Sequence, residues 1–182
     1  AYILAGAPKI GKSFLVAQVA HHVSIGQDLW GYKVRQGTVL YLALEDDESR
    51  LQRRMFRMFG VEGTSFLHFA TSAKMLGSGL DEQLEKFVRE HADTKLIIVD
   101  TLQKVREAVS DSYSYSSDYE VIGKLKQFAD RHGVCVLIVH HTRKQPAGDS
   151  FEMISGTTGL LGCADGALLM QKEKRTDSRA TL

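Results

Sequence analysis

Near its start the chain reads Gly6-Ala7-Pro8-Lys9-Ile10-Gly11-Lys12-Ser13, which satisfies G-x-x-x-x-G-K-[ST]. The apolar run Tyr2-Ile3-Leu4-Ala5 precedes it and an apolar-periodic stretch follows. Few architectures accommodate that order. The loop must turn on its glycines so that successive backbone N–H groups point inward, and the helix beginning near Gly11 must add the positive end of its dipole. The pattern predicts a phosphate cradle built from Gly6, Ala7, Pro8, Lys9, Ile10, Gly11, Lys12, Ser13 and Phe14, with ATP and Mg²⁺ as its ligands. In that reading Lys12 reaches the β- and γ-phosphates and the Ser13 hydroxyl sits on an ion that keeps most of its waters. An ordinary Gly-rich strand–helix turn is the competing reading, and the flanking context disfavours it.

The rest of the composition fits a soluble globular domain: 182 residues, 43% hydrophobic and 25% charged, enough for a full core. We expect residues 1–182 to form one ATPase domain cut from a longer polypeptide, because the loop begins so close to Ala1 and Arg179-Ala180-Thr181-Leu182 reads like a strand beginning. A net charge of +1 gives no global attraction to a polyanion, so nucleic-acid contacts must come from local basic patches. Cys135 and Cys163 lack C-x-x-C spacing and sit among apolar residues, which predicts buried free thiols rather than a disulfide or metal site. With no run of membrane-spanning length and no signal-peptide pattern, the expectation is a cytoplasmic protein without a membrane partner.

Strand-like runs at Tyr2–Ala5, Thr38–Leu44, Phe66–Ala70, Lys95–Val99, Val134–Val139 and Ala167–Met170 alternate with stretches of helical period. Gly11–Ser24 carries Phe14, Leu15, Val19 and Val23 on one side; Glu48–Phe59 carries Leu51, Met55, Met58 and Phe59. Asp81–His91 carries Leu84, Phe87 and Val88, and Asp118–His132 carries Val121, Ile122, Leu125, Phe128 and Ala129. Continuous apolar strands alternating with amphipathic helices predict an α/β fold, a mostly parallel sheet covered on both faces. Gly26, Gly60 and Gly133 stand where helices should stop. Two polar, Gly- or Tyr-bearing segments, Ser110–Asp118 and Lys144–Gly162, break the alternation and read as long loops, either functional or disordered.

Three strand ends carry chemistry. Lys95-Leu96-Ile97-Ile98-Val99-Asp100-Thr101 ends a buried strand in a carboxylate, placed to hold a water of the Mg²⁺ shell; a turn-capping Asp follows the same pattern. Leu42-Ala43-Leu44-Glu45-Asp46-Asp47 ends another, and Glu45 is the candidate for polarising the attacking water. Asp46 and Asp47 read as the cap of the next helix. Val139-His140-His141-Thr142 ends the third, and an imidazole there, His141 ahead of His140, suits a sensor of the γ-phosphate. Further ligands for a metal site on the two histidines are absent at suitable spacing.

Together with Ser155-Gly156-Thr157-Thr158-Gly159 and Ala164-Asp165-Gly166, these motifs resemble the RecA-like P-loop ATPases, and within them the RepA-type hexameric replicative helicases. The resemblance spans nearly the whole chain. It implies a RecA-like fold, Glu45 as the water-activating glutamate, Asp100 as the Walker B acid and His141 as the γ-phosphate sensor. It also implies a homo-oligomeric ring whose channel loops, at Ser110–Asp118 and Lys144–Gly162, face single-stranded DNA. Those loops are not strongly basic, although Tyr113 and Tyr115 suit stacking on bases. In Gln171-Lys172-Glu173-Lys174-Arg175-Thr176-Asp177-Ser178-Arg179 the resemblance implies a catalytic finger, Lys174 or Arg175, reaching a neighbour's γ-phosphate; a solvated turn is the alternative. Arg50, Arg53, Arg54 and Arg57 read mainly as the wet face of a helix.

The function these readings imply is Mg²⁺-dependent ATP hydrolysis by a motor domain of plasmid or phage replication or of DNA repair. The alternative is a regulatory RecA-like ATPase or nucleotide switch. A small-molecule kinase would show a lid with clustered arginines and an acceptor pocket, and neither is clear in the sequence.

Overall fold

The computed structural model describes residues 1–60, 63–106, 115–142, 162–173, 177 and 179–182, with the backbone alone for 115–118. Its strands are β1 (Tyr2–Gly6), β2 (Thr38–Ala43), β3 (Leu67–Ala70), β4 (Thr94–Asp100), β5 (Cys135–His141) and β6 (Gly166–Met170). The helices are α1 (Lys12–Ile25), α2 (Glu48–Phe59), α3 (Leu80–Glu90), the short α4 (Leu102–Val105) and α5 (Tyr115–His132). The strands form a six-stranded sheet in the order β3-β2-β4-β5-β1-β6, parallel at every pairing. Since all strands run the same way, all carboxyl ends gather along one rim, where ligands of open α/β sheets bind.

Alternation along the strands divides the core into two layers. Ile3, Ala5, Leu40, Leu42, Ile97, Val99, Val136 and Ile138 pack with Leu80, Leu84, Leu102, Val105, Ile122, Leu125 and Phe128 of α3, α4 and α5. On the other face Leu4, Val39, Tyr41, Ala43, Leu96, Ile98, Leu137 and Val139 meet α1 and, through Leu51, α2. Full burial of an Ile or Leu stabilises by about 1.5–3 kcal/mol, so these two layers supply most of the driving force.

The inward face of α1 differs in part from the expected one. Its buried residues are Lys12, Val16, Ala17, Ala20 and Ser24; Leu15, Val19 and Val23 are half-buried and pack against the edge of that core, and Phe14 is exposed. Small side chains let the helix axis lie close to the sheet, and a search for large apolar residues overlooks them. Of the helix stops, Gly26 is in the left-handed conformation, Gly133 has φ of 62° and Gly60 combines φ of 79° with ψ of −154°. Tyr115-Ser116-Ser117-Asp118, expected in a loop, form the first turn of α5. Ser and Asp are favourable at helix starts, which explains the shift. Residues 110–114 and 144–161 lie outside the described residues. Thr181 pairs antiparallel with Gln171, so the last residues fold back beside β6. Cys135 is exposed and Cys163 half-buried, contrary to the expected burial; both are free thiols. Cys135 opens β5 at the sheet's rim and so escapes the core. Among the described residues no helix is long and apolar enough to cross a membrane.

Candidate nucleotide site

Register brings the chemistry together. Gly6 of β1 pairs with His141 of β5, Asp100 of β4 pairs with Val139 of β5, and Ala43 of β2 pairs with Asp100. Four sequence segments more than thirty residues apart therefore end at one rim.

The loop after β1 is shaped by backbone. A Cβ on Gly6 would lie 2.5 Å from Ile10 Cδ1 and 2.7 Å from the Met170 carbonyl of β6, closer than real side chains approach. Gly11, the residue before α1, has φ of 110°, a conformation that side-chain-bearing residues rarely adopt. Lys9 holds φ of 65° despite its side chain. No side chain caps the start of α1; Phe14 N–H bonds the Gly11 carbonyl at 3.0 Å, and the positive end of the helix dipole suits an anion.

Lys12 is 5% exposed and turns back into this loop. Its ammonium donates to the carbonyls of Gly6 (2.7 Å) and Ala7 (2.8 Å) and lies 3.1 Å from His141 Nδ1. Burial pulls its pKa down to about 8, opposed by the charges of Asp100 and Glu45. The carbonyl oxygens occupy the positions around the ammonium that phosphate oxygens suit, so the donor set fits an anionic ligand.

Asp100 is 3% exposed. Tyr41 donates its hydroxyl to Asp100 Oδ2 at 2.9 Å, and the Ser13 hydroxyl lies beside the same carboxyl. Burial pushes the Asp100 pKa up, while the hydroxyls of Ser13 and Tyr41 favour the charged form. Burial, followed by the charge of Asp100, pushes the Tyr41 phenol up as well, so it stays a donor. A serine hydroxyl beside a buried carboxylate is a hard-oxygen pair, which fits Mg²⁺ because that ion takes few protein ligands and keeps waters and phosphate oxygens. Among the described residues no group of three or more His, Cys, Asp or Glu is arranged to hold a metal.

Glu45 lies just past β2, where Leu44 N–H bonds the Asp100 carbonyl at 2.8 Å. Thr101 Oγ1 donates to Glu45 Oε1 at 3.0 Å, and His141 Nε2 is 3.5 Å from the same oxygen. The Glu45 side chain is 42% exposed, so its carboxylate is reachable from solvent. His141 thus stands between Lys12 and Glu45. His140 is buried, and strand alternation puts it on the opposite face with Val136 and Ile138.

Asp47 caps α2, accepting from Arg50 N at 2.7 Å, as the sequence predicts. Asp46 does something else. It takes Arg54 in a bidentate pair at 2.5 and 3.2 Å, both side chains about 90% buried, and the Arg54 guanidinium sits 5.2 Å from the centroid of the Phe14 ring. The Asp46 hydrogen bond and charge outweigh burial and raise the Arg54 pKa. Arg54 is therefore not on the wet face. The signal was available: Arg54 is three residues from Leu51 and four from Met58, inside the inward stripe of α2. Across the sheet, Lys126 of α5 donates to Asp165 at 2.5 Å, tying α5 to the start of β6. Lys174, Arg175, Tyr113 and Ser155–Gly159 lie outside the described residues, as do the side chains of 115–118.

Comparison with known proteins agrees with this fold. A family profile described as "AAA domain" (AAA_25) matches residues 1–147. DNA repair protein RadA of Streptococcus pneumoniae is 25% identical over 145 residues, 79% of this chain and 30% of that protein. RadA of Streptococcus pyogenes serotype M6 is 23% identical over 145 residues, with 79% of this chain and 28% of that protein covered. The chain thus spans under a third of these relatives' length. Among solved structures, one described as an ATPase domain superposes with a TM-score of 0.73 at 14% identity, over 97% of this chain and 70% of that one. A DnaB-like replicative helicase, solved with attention to its interactions with primase, gives 0.74 at 13% identity, over 98% of this chain and 49% of that one. The fold is that of the RecA-like P-loop ATPases, and the chain belongs to the AAA_25 family of AAA domains.

Proposed function

We propose that this domain binds and hydrolyses ATP with Mg²⁺ and drives DNA-directed work as part of a ring of like subunits. The observation that carries the proposal is the convergence of Lys12, Glu45, Asp100 and His141 at one rim of the sheet, with His141 3.1 Å from Lys12 and 3.5 Å from Glu45, and Thr101, the neighbour of Asp100 in the chain, 3.0 Å from Glu45. Lys12 exchanges its loop carbonyls for β- and γ-phosphate oxygens, and the helix start at Gly11 takes the remaining charge. Ser13 and Asp100 would hold the Mg²⁺ ion and its water. When bound, that ion neutralises charge on the phosphate oxygens. Glu45, oriented by Thr101, accepts the proton of the attacking water. His141 contacts both Lys12 and Glu45, so a ligand that moves Lys12 also alters what Glu45 meets; this supports its role as the sensor. Lys174 or Arg175 is proposed as the finger that completes a neighbouring site.

The DNA assignment draws on relatives named as DNA repair proteins and on a replicative helicase of the same fold. The deciding experiment is the ATPase rate with and without single-stranded DNA, alongside the Glu45→Gln variant. Turnover that rises with DNA and vanishes in Glu45→Gln supports a motor. Binding of ATP without turnover in the wild type returns the domain to a nucleotide switch.

A further inference from the structure

Tyr41 has no place in the sequence motifs, yet its hydroxyl is the donor on Asp100 Oδ2. Its position explains how it gets there. On β2 it pairs in register with Ile98 of β4, and Asp100 is two residues further along β4 on the same face. Tyr41 is fully buried in the layer beneath α1 and α2, with its ring 5.5 Å from that of Phe69. The phenol is therefore held rigidly at its ring end and delivers one directed hydrogen bond at its tip.

We propose that Tyr41 is a positioning residue for the metal-water ligand Asp100, holding Oδ2 and so fixing the orientation of the carboxylate. The inference rests on the nucleotide-site reading above. An aspartate χ2 torsion has a broad well, so a carboxylate at a strand tip is not oriented by its rotamer alone. Ligating groups need support to within about 0.5 Å and 10–20°. Here a side chain from the neighbouring strand supplies that support. Tyr41 itself touches neither nucleotide nor metal and acts through Asp100.

The test is Tyr41→Phe, which keeps the ring and removes the oxygen. The readout is the Kd for a non-hydrolysed ATP analogue in EDTA and in excess Mg²⁺, with Mn²⁺ binding to the same complex followed by electron paramagnetic resonance. A merely structural role would weaken both Kd values alike. Positioning predicts an unchanged Kd in EDTA and a gain from Mg²⁺ reduced about tenfold, the scale of one hydrogen bond to a charged group. Adding Tyr41→Phe to Asp100→Asn should then change that gain no further. An undiminished gain from Mg²⁺ in Tyr41→Phe overturns the proposal. If Tyr41→Phe fails to fold, the Tyr41→Phe/Asp100→Asn double variant decides: recovered folding shows that Tyr41 serves the carboxylate, and continued failure shows a core residue only. If the wild type gains nothing from Mg²⁺, or Asp100→Asn behaves as wild type, the nucleotide-site reading itself has failed, an outcome distinct from failure of the Tyr41 assignment.

Discussion

The loop from Gly6 to Ser13 and the tips of β2 and β4 lie side by side at the same rim, but different means hold them in place. The loop is fixed by backbone: Gly6 admits the Met170 carbonyl, Gly11 takes a left-handed turn, and Lys12 binds main-chain oxygens. The tips are fixed by side chains borrowed from elsewhere. Glu45 leans on Thr101 and His141, Asp100 on Tyr41 and Ser13, and Asp46 on Arg54. A backbone-held site tolerates little variation in residue type at fixed positions. A site held by side chains distributes its requirements over distant positions that no local pattern marks.

That contrast can be broken at several points, and Lys12→Ala should have the largest effect. It removes the ammonium buried within the loop, and ATP binding measured by calorimetry should be lost. Retained affinity would mean that backbone N–H groups suffice. Next comes Glu45→Gln, which leaves the loop intact. Nucleotide affinity should hold while turnover falls about 10²- to 10⁴-fold, the range of a general base; unchanged turnover removes Glu45 from the chemistry.

Asp46→Asn tests the borrowed support. Breaking a buried ion pair costs about 3–5 kcal/mol because the partner charge stays behind, and Arg54 is about 11% exposed, which places it near the lower end. Denaturant unfolding should show that loss, and adding Arg54→Met should recover part of it. Equal losses in the single and double variants would mean that the pair is not coupled. The smallest effect is expected at Lys9, whose φ of 65° is unfavourable for any residue with a Cβ. Lys9→Gly relieves roughly 1 kcal/mol of strain and loosens the unfolded chain by a similar amount, so the melting temperature should move little. A large fall would show that the Lys9 side chain, not the backbone, shapes the loop.

The same contrast explains what the sequence disclosed. Gly6, Gly11, Lys12 and Ser13 stand close together in the chain because a backbone cradle is local, so their spacing is readable. Alternating apolar strands and periodic helices are likewise local, which made the parallel sheet and α2 to within a residue legible. Arg54, Tyr41 and Thr101 were not. Tyr41 looks like one more β-forming aromatic, Arg54 like one of four surface arginines, and Thr101 like the residue after a strand. Their roles depend on partners 8, 59 and 56 residues away. The inward face of α1 was legible only in part, at Leu15, Val19 and Val23: Ala17 and Ala20 contribute by being small, and size alone leaves no periodic mark.

The all-parallel sheet order has a consequence for how the chain comes to act. Three contacts of the candidate site join residues 129, 59 and 56 positions apart: Lys12–His141 needs β1 beside β5, and Tyr41–Asp100 and Thr101–Glu45 need β2 beside β4. Topologies rich in such distant pairings fold slowly, since loop-closure entropy precedes the reward. A half-assembled chain therefore has an incomplete site, and under the proposed function nucleotide binds the finished domain most tightly. At about 100-fold excess over its Kd a ligand of this kind adds roughly 2.7 kcal/mol to the native state. The cellular ATP pool would then act on this fold as a selective chaperone, holding molecules that have completed their sheet and leaving the rest exposed to proteolysis.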